Sequence, residues 1–254
     1  MTTFASLIIA LLFAAIFLFG GRLAYRPGDR SYWRFLSFAA GIAVAYVFVD
    51  VMPSLGRMRD IVMETPGGFQ RAFPEYSVYL WAMAGFLVFY CLETMVTGAQ
   101  RSPEDHGEGH GGGAAPWKAW LHIGGFAAYA WMISHIMVWK LHDTLALCLY
   151  GVAMGMHIFP VACNLTSHYR EAYDHRGAYL LVLATLAGWV TGLLLDIPKP
   201  ILVNLVAVVV GGVIGNTAIA ELPKEGEGRR WPFLAGALVY TALLLILSHF
   251  EHGG

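Results

Sequence analysis

The sequence predicts an all-α membrane protein with eight transmembrane helices, and three observations carry this prediction. Apolar residues make up 57% of the chain and charged residues only 13%, whereas soluble domains average about 45–50% and about 25%. Apolar runs of about 20 residues, the length that spans a bilayer, recur along the whole chain. Two of these runs, near opposite ends of the chain, repeat one pattern of small residues, an acid and a proline.

The eight predicted spans follow one another with mostly short connections. Their approximate bounds are 3–20, 33–55, 76–97, 117–139, 144–166, 177–196, 199–220 and 231–249. No lysine or arginine precedes the first run, and it lacks a small-residue cleavage site. We therefore expect the first span to be a retained helix and not a signal peptide.

The second and seventh spans share a pattern that predicts an internal repeat. Each has three small residues four apart, followed by an acid and a proline. These residues are Ser37, Gly41, Ala45, Asp50 and Pro53 in the second span, and Ala207, Gly211, Gly215, Glu221 and Pro223 in the seventh. Glycine and proline are twelve residues apart in both, counting from Gly41 and from Gly211. Because small residues let membrane helices pack closely, we interpret these faces as packing or sliding surfaces.

Basic residues in the connections predict the orientation. Eleven lysines and arginines fall on one side of the predicted membrane and five on the other. The richer side is expected to be cytoplasmic, which places both termini outside and residues 98–116 inside a plasma or inner membrane. The second and seventh helices then cross in opposite directions, as an inverted repeat requires. Asp50 would lie at the outer mouth and Glu221 at the inner end.

The fifth span carries a stripe of polar residues. These are Asp143, Tyr150, His157, Asn164 and His168, which are 7, 7, 7 and 4 residues apart. At 3.6 residues per turn they share one face of a helix, and a polar face turned to lipid is costly. The stripe is thus expected to line a pathway, although mutual hydrogen bonding between helices would also explain it. For Tyr150 alone, we favour a hydrogen bond to another helix over a role in the pathway.

Other polar residues are candidates with less support. The fourth span holds His122 and His135; either could be a metal ligand, but for each alone we favour an interface histidine. Glu93 ends the third span, and Asn216 in the seventh offers a neutral oxygen. The Gly-rich connection 98–116 contains His106 and His110, which predict weak contact with a divalent metal ion or simply a solvated linker.

Several classes of protein are excluded. The chain has no GxSxG, HExxH, P-loop or dinucleotide fingerprint, so we expect neither an enzyme nor an organic cofactor. A net charge of −1 does not indicate the strongly basic surface that binds nucleic acid. The three cysteines lie inside apolar runs without CxxC spacing, which argues against a disulfide framework.

Four stretches resemble the ZIP family of divalent metal transporters. SFAAGIAVAYVFVDVMPSL is similar to that family's second helix, and AGFLVFYCLE to its third. MHIFP at residues 156–160 is similar to the fifth-helix His-x-x-Pro motif, and VVGGVIGNTAIAELPKE to the seventh helix. The resemblance covers most of the chain. It implies a bundle of eight helices with an inverted repeat that moves zinc or a similar ion as substrate.

The chain departs from the family at the metal ligands. The family's fourth helix has a His-Asn and a Glu/Asp-Gly motif, whereas LHIGGFAAYAWMISHI contains no acid. In the fifth-helix motif, Ile158, Val161 and Ala162 replace further ligands. We therefore expect one reduced site, built from His157, Asn164 and a histidine of the fourth span, instead of a two-metal site.

Three functions stay open at this point. The first is a ZIP-like carrier that works by alternating access, and the second is a non-transporting relative that serves as a sensor or scaffold. The third is a membrane haem protein that uses His122 and His135, although the pair that should face them, His157 and His168, fits poorly. The expected partners are the lipid bilayer, the metal ion and a second copy of the chain in a homodimer.

Overall fold

The protein folds as a bundle of helices. The computed structural model describes residues 2–21, 29–64, 66, 68–99, 116–140, 144–217 and 230–252. The described helices are α1 (Thr2–Gly20), α2 (Arg30–Glu64), α3 (Ser77–Ala99), α4 (Pro116–Lys140), α5 (Thr144–Ala172), α6 (Ala178–Leu194), α7 (Lys199–Asn216) and α8 (Arg230–His252). The described residues include no strand, which confirms the predicted all-α class.

The helices have the length and surface of membrane spans. Among the described helices, all but α6 and α8 are long and apolar enough to cross a membrane, and those two carry shorter apolar stretches. Large apolar side chains cover the outside of the bundle, with Leu183, Leu194 and Leu238 all more than 60% exposed. Soluble proteins rarely expose apolar patches of this extent, so the surface fits a membrane protein.

α2 is longer than the predicted span, which ends at residue 55. Asp29 caps its start, since the Asp29 carboxylate accepts a hydrogen bond of 2.8 Å from the backbone N–H of Ser31. Pro53 has no N–H to donate, yet it does not end the helix, because the backbone takes a π-helical turn at Val47–Val51 and continues to Glu64. At about 1.5 Å per residue the helix is ~50 Å long, well beyond the ~30 Å of a hydrocarbon core.

The end of α5 contains a kink. The backbone at Tyr169 leaves helical geometry (φ −132°, ψ 38°), and a π-helical turn at Tyr173–Gly177 then leads into α6. The Tyr173 hydroxyl donates a 2.7 Å hydrogen bond to the carbonyl of Phe17 in α1. This hydrogen bond connects the turn between α5 and α6 to α1. Helical structure here runs beyond residue 166, where the predicted fifth span ends.

Glycines bring two pairs of helices into backbone contact. A Cβ on Gly41 of α2 would overlap the carbonyl oxygen of Phe233 in α8. Conversely, a Cβ on Gly236 of α8 would overlap the carbonyl oxygen of Phe38 in α2. The contact is therefore reciprocal, and each glycine touches the carbonyl three residues before its partner glycine.

The pair α3 and α7 has the same arrangement. Gly211 of α7 faces the carbonyl of Ala82 in α3, and Gly85 of α3 faces the carbonyl of Val208 in α7. Again each glycine meets the carbonyl three residues before the other glycine. Both crossings use the predicted small-residue faces, since Gly41 and Gly211 are the central residues of those patterns.

We divide the helices into two groups of four. α1, α4, α5 and α6 pack on one another, and α2, α3, α7 and α8 form the second group. The groups meet where α2 packs on α5, α3 on α4, and α4 on α7. Side chains of α2, α4, α5 and α7 therefore line much of the seam between the two groups.

The turn after α2 is anchored to the start of α7. Gln70 is fully buried, and its side-chain amide donates hydrogen bonds to Asn204 Oδ1 (2.8 Å) and to the carbonyl of Pro200 (3.3 Å). We expect Gln70→Ala to destabilise the protein by about 1–3 kcal/mol, because it leaves two partly buried acceptors without this donor. The readouts are the melting temperature in detergent and faster hydrogen exchange in residues 68–76. Glu75→Ala, at an exposed position of the same connection, is the control. Equal exchange rates in both variants would contradict the anchoring role.

Candidate functional site

A small cavity lies at the seam between the two groups of helices. Its volume is about 30 Å³, which holds one or two water molecules at about 10–15 Å³ each. Its polar lining comes from Tyr46, Asp50 and Ser54 of α2 and Tyr150 of α5. The apolar lining is Val51, Ile136, Met154, Val206, Val209, Val210 and Val213. The cavity therefore joins helices of both groups around one carboxylate.

Asp50 brings the negative charge to this cavity. It lies within the π-helical turn Val47–Val51, the kind of helix irregularity that often marks functional sites. Its carboxylate is close enough to the phenols of Tyr46 and Tyr240 to act on them electrostatically. The rings of these tyrosines lie edge to face, with centroids 6.4 Å apart. The surroundings of Asp50 are thus aromatic and polar.

Two tyrosines next to the cavity tie helices together. The Tyr150 hydroxyl donates to the carbonyl of Ile133 in α4 at 3.0 Å, and the Tyr240 hydroxyl donates to the carbonyl of Leu149 in α5 at 3.3 Å. These bonds match the bridging role predicted for Tyr150. Because both hydroxyls are engaged by backbone carbonyls, Asp50 is the charged group that the cavity offers to a ligand.

His157 lies one turn further along α5 than Met154 of the cavity. It is fully buried, and its Nε2 shares a 3.1 Å hydrogen bond with the hydroxyl of Tyr129 in α4. The Tyr129 ring packs edge to face on Phe89 at 4.8 Å. Pro160 follows on the same helix and cannot donate to the carbonyl of Met156. A buried imidazole, a phenol and a helix carbonyl without its usual i+4 donor therefore occur close together.

A second polar group forms where α3 ends and α4 begins. His122 Nε2 lies 3.6 Å from Glu93 Oε2, and the His122 ring lies 5.6 Å from that of Tyr169. His168 is close enough to act on His122 electrostatically. The Nδ1 atom of His168 is engaged with the carbonyl of Asn164 at 2.9 Å. Three helices thus contribute polar side chains to this end of the bundle.

His135 lies elsewhere, between α4 and α6. Its Nδ1 shares a 3.1 Å hydrogen bond with Thr191 Oγ1, and its ring stacks on Trp131 with centroids 5.2 Å apart. Gly192 of α6 packs on the His135 backbone. These contacts are those of a histidine at a helix–helix interface, the role that the sequence favours over that of a metal ligand.

The structure does not gather the predicted ligands into one cluster. The described residues hold no group of three His, Cys, Asp or Glu side chains that could bind a metal ion. A tyrosine, Tyr129, takes the place opposite His157 where the prediction expects a histidine of the fourth span. Asn164 lies on the same face two turns from His157 and is partly exposed, whereas Asn216 is buried in α7. Asp143, Glu221, His106 and His110 lie outside the described residues.

Sequence reasoning missed Tyr129, Tyr46 and Tyr240. One signal was present for Tyr129, because it falls seven residues after His122 and so lies on the same face of α4. For the other two there was none, since a tyrosine inside an apolar run resembles any other large side chain. No protein-family model, curated protein or solved structure matches the chain.

Proposed function

We propose that the protein is an integral membrane carrier of a divalent metal cation, zinc or a similar ion, with a ZIP-like architecture and a reduced metal site. The observation that carries this proposal is a series of polar groups along the seam between the two groups of helices. It starts at Asp50 in the cavity, continues at the His157–Tyr129 pair and ends at Glu93 and His122.

The order of these groups along the helices supports a path. On α5 the polar residues Tyr150, His157 and Asn164 follow one another at seven-residue intervals, or about 10 Å per step. On α4 the sequence runs the opposite way, from Ile136 at the cavity through Tyr129 to His122. Both helices thus lead from the cavity to the Glu93 end. Intramembrane polar groups of this kind typically mark an ion pathway.

The two glycine crossings support an inverted repeat. α2 pairs with α8 through Gly41 and Gly236, and α7 pairs with α3 through Gly211 and Gly85, with the same reciprocal contacts in each. A pseudo-two-fold axis that exchanges α2 with α7 and α8 with α3 accounts for this correspondence. The same operation would exchange the α1–α5 pair with the α6–α4 pair; both pairs are in contact, and the α4–α6 interface is the more extensive.

Backbone geometry adds a further correspondence. α2 changes from α-helical to π-helical geometry at Val47, six residues after Gly41. In α7 the residue six after Gly211 is Thr217, and it too is π-helical. Repeats of this type commonly surround a binding site and move against each other. We propose alternating access by rocking of the α1, α4, α5, α6 group against the α2, α3, α7, α8 group.

A site with few protein ligands is suited to release of its ion. Zinc sites with four protein ligands are structural, whereas sites with open positions keep water or substrate. Here His157, the Met156 carbonyl and water would hold the ion at the seam, and Asp50 would attract it. In this proposal, Asp50 is on the outer side and residues 98–116 face the cytoplasm, as the basic residues predict.

We expect Asp50→Asn to reduce zinc uptake into proteoliposomes about ten-fold or more, because the cavity loses its charge. The matched control is Asp60→Asn on the same helix, where the carboxylate is 71% exposed and 3.6 Å from Arg59. The measurement is uptake of zinc with a fluorescent indicator inside the vesicles.

Two results would count against the carrier. Wild-type uptake equal to that of protein-free vesicles would favour the alternative function, a sensor or scaffold that does not transport. Equal losses in Asp50→Asn and Asp60→Asn would remove Asp50 from the path.

A further inference from the structure

Buried polar atoms near the start of α4 lack hydrogen-bond partners. His122 is 3% exposed, yet neither of its ring nitrogens has a hydrogen-bond partner, and the same holds for the hydroxyl of Tyr169, which is 6% exposed. Such groups are rare in folded proteins, and each one indicates strain, function or an unseen water or ion. Because both residues lie in one cluster, with their rings 5.6 Å apart, one bound species would satisfy them together.

The distance to Glu93 indicates what that species is. His122 Nε2 and Glu93 Oε2 are 3.6 Å apart, which is too long for a direct hydrogen bond. With zinc–ligand bonds of about 2.0–2.2 Å, two ligands on one tetrahedral ion stand about 3.3–3.6 Å apart. The pair is therefore already spaced as a nitrogen and an oxygen ligand of a single ion. The Glu93 carboxylate is only 12% exposed.

We propose that Glu93, His122 and Tyr169 form a separate metal site for a divalent ion such as zinc. On α4, His122 of this site lies two turns from Tyr129, the partner of His157. The Glu93 carboxylate and the His122 imidazole are the two strong ligands. The Tyr169 phenol and water complete the coordination, in keeping with the lack of a third His, Cys, Asp or Glu in metal-binding position among the described residues. His168 borders the site, and its Nδ1 is engaged with the Asn164 carbonyl.

An ion bound at this site would also hold the kink of α5 in place. Its ligands come from α3, α4 and the kink of α5, because Tyr169 is the residue whose backbone leaves helical geometry. A bound ion therefore fixes the kink relative to α3 and α4, and loss of the ion releases it. The site binds metal at equilibrium whether or not the protein transports, so its test needs no uptake measurement.

The test measures Co²⁺ binding to the purified full-length protein in detergent, by visible absorption and by bound metal per chain. All variants are made in the His157→Ala background, which removes the imidazole at the seam. We expect Glu93→Gln and His122→Gln each to abolish binding of one Co²⁺ per chain, and Tyr169→Phe to weaken it several-fold. Zn²⁺ should displace the cobalt. The control is His135→Gln, which changes a buried histidine between α4 and α6 and should leave binding unchanged.

Several outcomes would overturn the proposal. Unchanged Co²⁺ binding in Glu93→Gln would do so, as would equal losses in His135→Gln and His122→Gln. If His122→Gln is misfolded and does not elute as a single species, the test relies on Glu93→Gln and Tyr169→Phe, which change the side-chain shape very little. If the variants do not change Co²⁺ binding but the wild type takes up zinc, this site is wrong and the proposed carrier function is retained. If the wild type binds Co²⁺ here but takes up no zinc, the site is supported in a protein that does not transport.

Discussion

Replacing His157 with alanine is expected to reduce zinc uptake to that of protein-free vesicles. His157 is the fully buried imidazole between the cavity that contains Asp50 and the Glu93–His122 end of the seam. Removing it takes away the nitrogen ligand at this position and leaves a phenol and a carbonyl, which bind zinc poorly. Bound metal in the purified protein should fall by one ion per chain, because the Glu93–His122 site is left intact.

Two further variants separate a ligand from a packing residue. Tyr129→Phe keeps the ring on Phe89 and removes only the hydroxyl that bonds to His157 Nε2. We expect it to retain transport with KM changed several-fold. His135→Ala removes a histidine that is equally buried but bonds to Thr191 of α6, and it should transport like the wild type. If His157→Ala and His135→Ala lose uptake equally while both melt earlier, the effect of His157 is structural.

The helices themselves could be predicted from the sequence because apolar length alone defines them. Each of the eight predicted spans corresponds to a described helix. The ends were less predictable, and α2 illustrates why. Pro53 normally predicts the end of a helix, but a π-helical turn at Val47–Val51 accommodates it. Whether a helix stops or adapts at a proline depends on what its far end packs against, and the sequence pattern does not contain that information.

The candidate site was predictable on one helix but not between helices. The seven-residue spacing placed Tyr150, His157 and Asn164 on a single face, because that depends only on helical periodicity. The partner of His157 depends on how α4 is rotated and shifted against α5. That relation also depends on how α4 packs on its other neighbours, such as α6, where Gly188 contacts the Trp131 backbone. Thus Tyr129 and not a histidine lies opposite His157, and His122 meets Glu93 instead.

Gly211→Ala is expected to lower stability by about 1–3 kcal/mol or more, although alanine is the better helix former. The added Cβ would overlap the carbonyl of Ala82 and approach the backbone nitrogen of Phe86. Backbone atoms cannot rotate away, so α3 and α7 must separate. Gly124→Ala is the matched control, because a Cβ there has nothing within 4 Å. It should raise stability by up to about 1 kcal/mol through helix propensity. The thermal unfolding midpoint in detergent should therefore shift in opposite directions.

The reciprocal contacts predict which substitutions combine additively. Gly41→Ala and Gly236→Ala act at one crossing, so once the first pushes α2 away from α8, the second should cost little more. Gly41→Ala and Gly211→Ala act at separate crossings, and their losses should add within about 0.5 kcal/mol. A repeat built from two equivalent crossings also requires similar single losses at Gly41 and Gly211. Additive losses for Gly41 with Gly236, or a Gly211→Ala variant as stable as the wild type, would contradict these close backbone contacts. The equivalence of the two crossings, and with it the rocking of one group of helices on the other, would then lose its structural support.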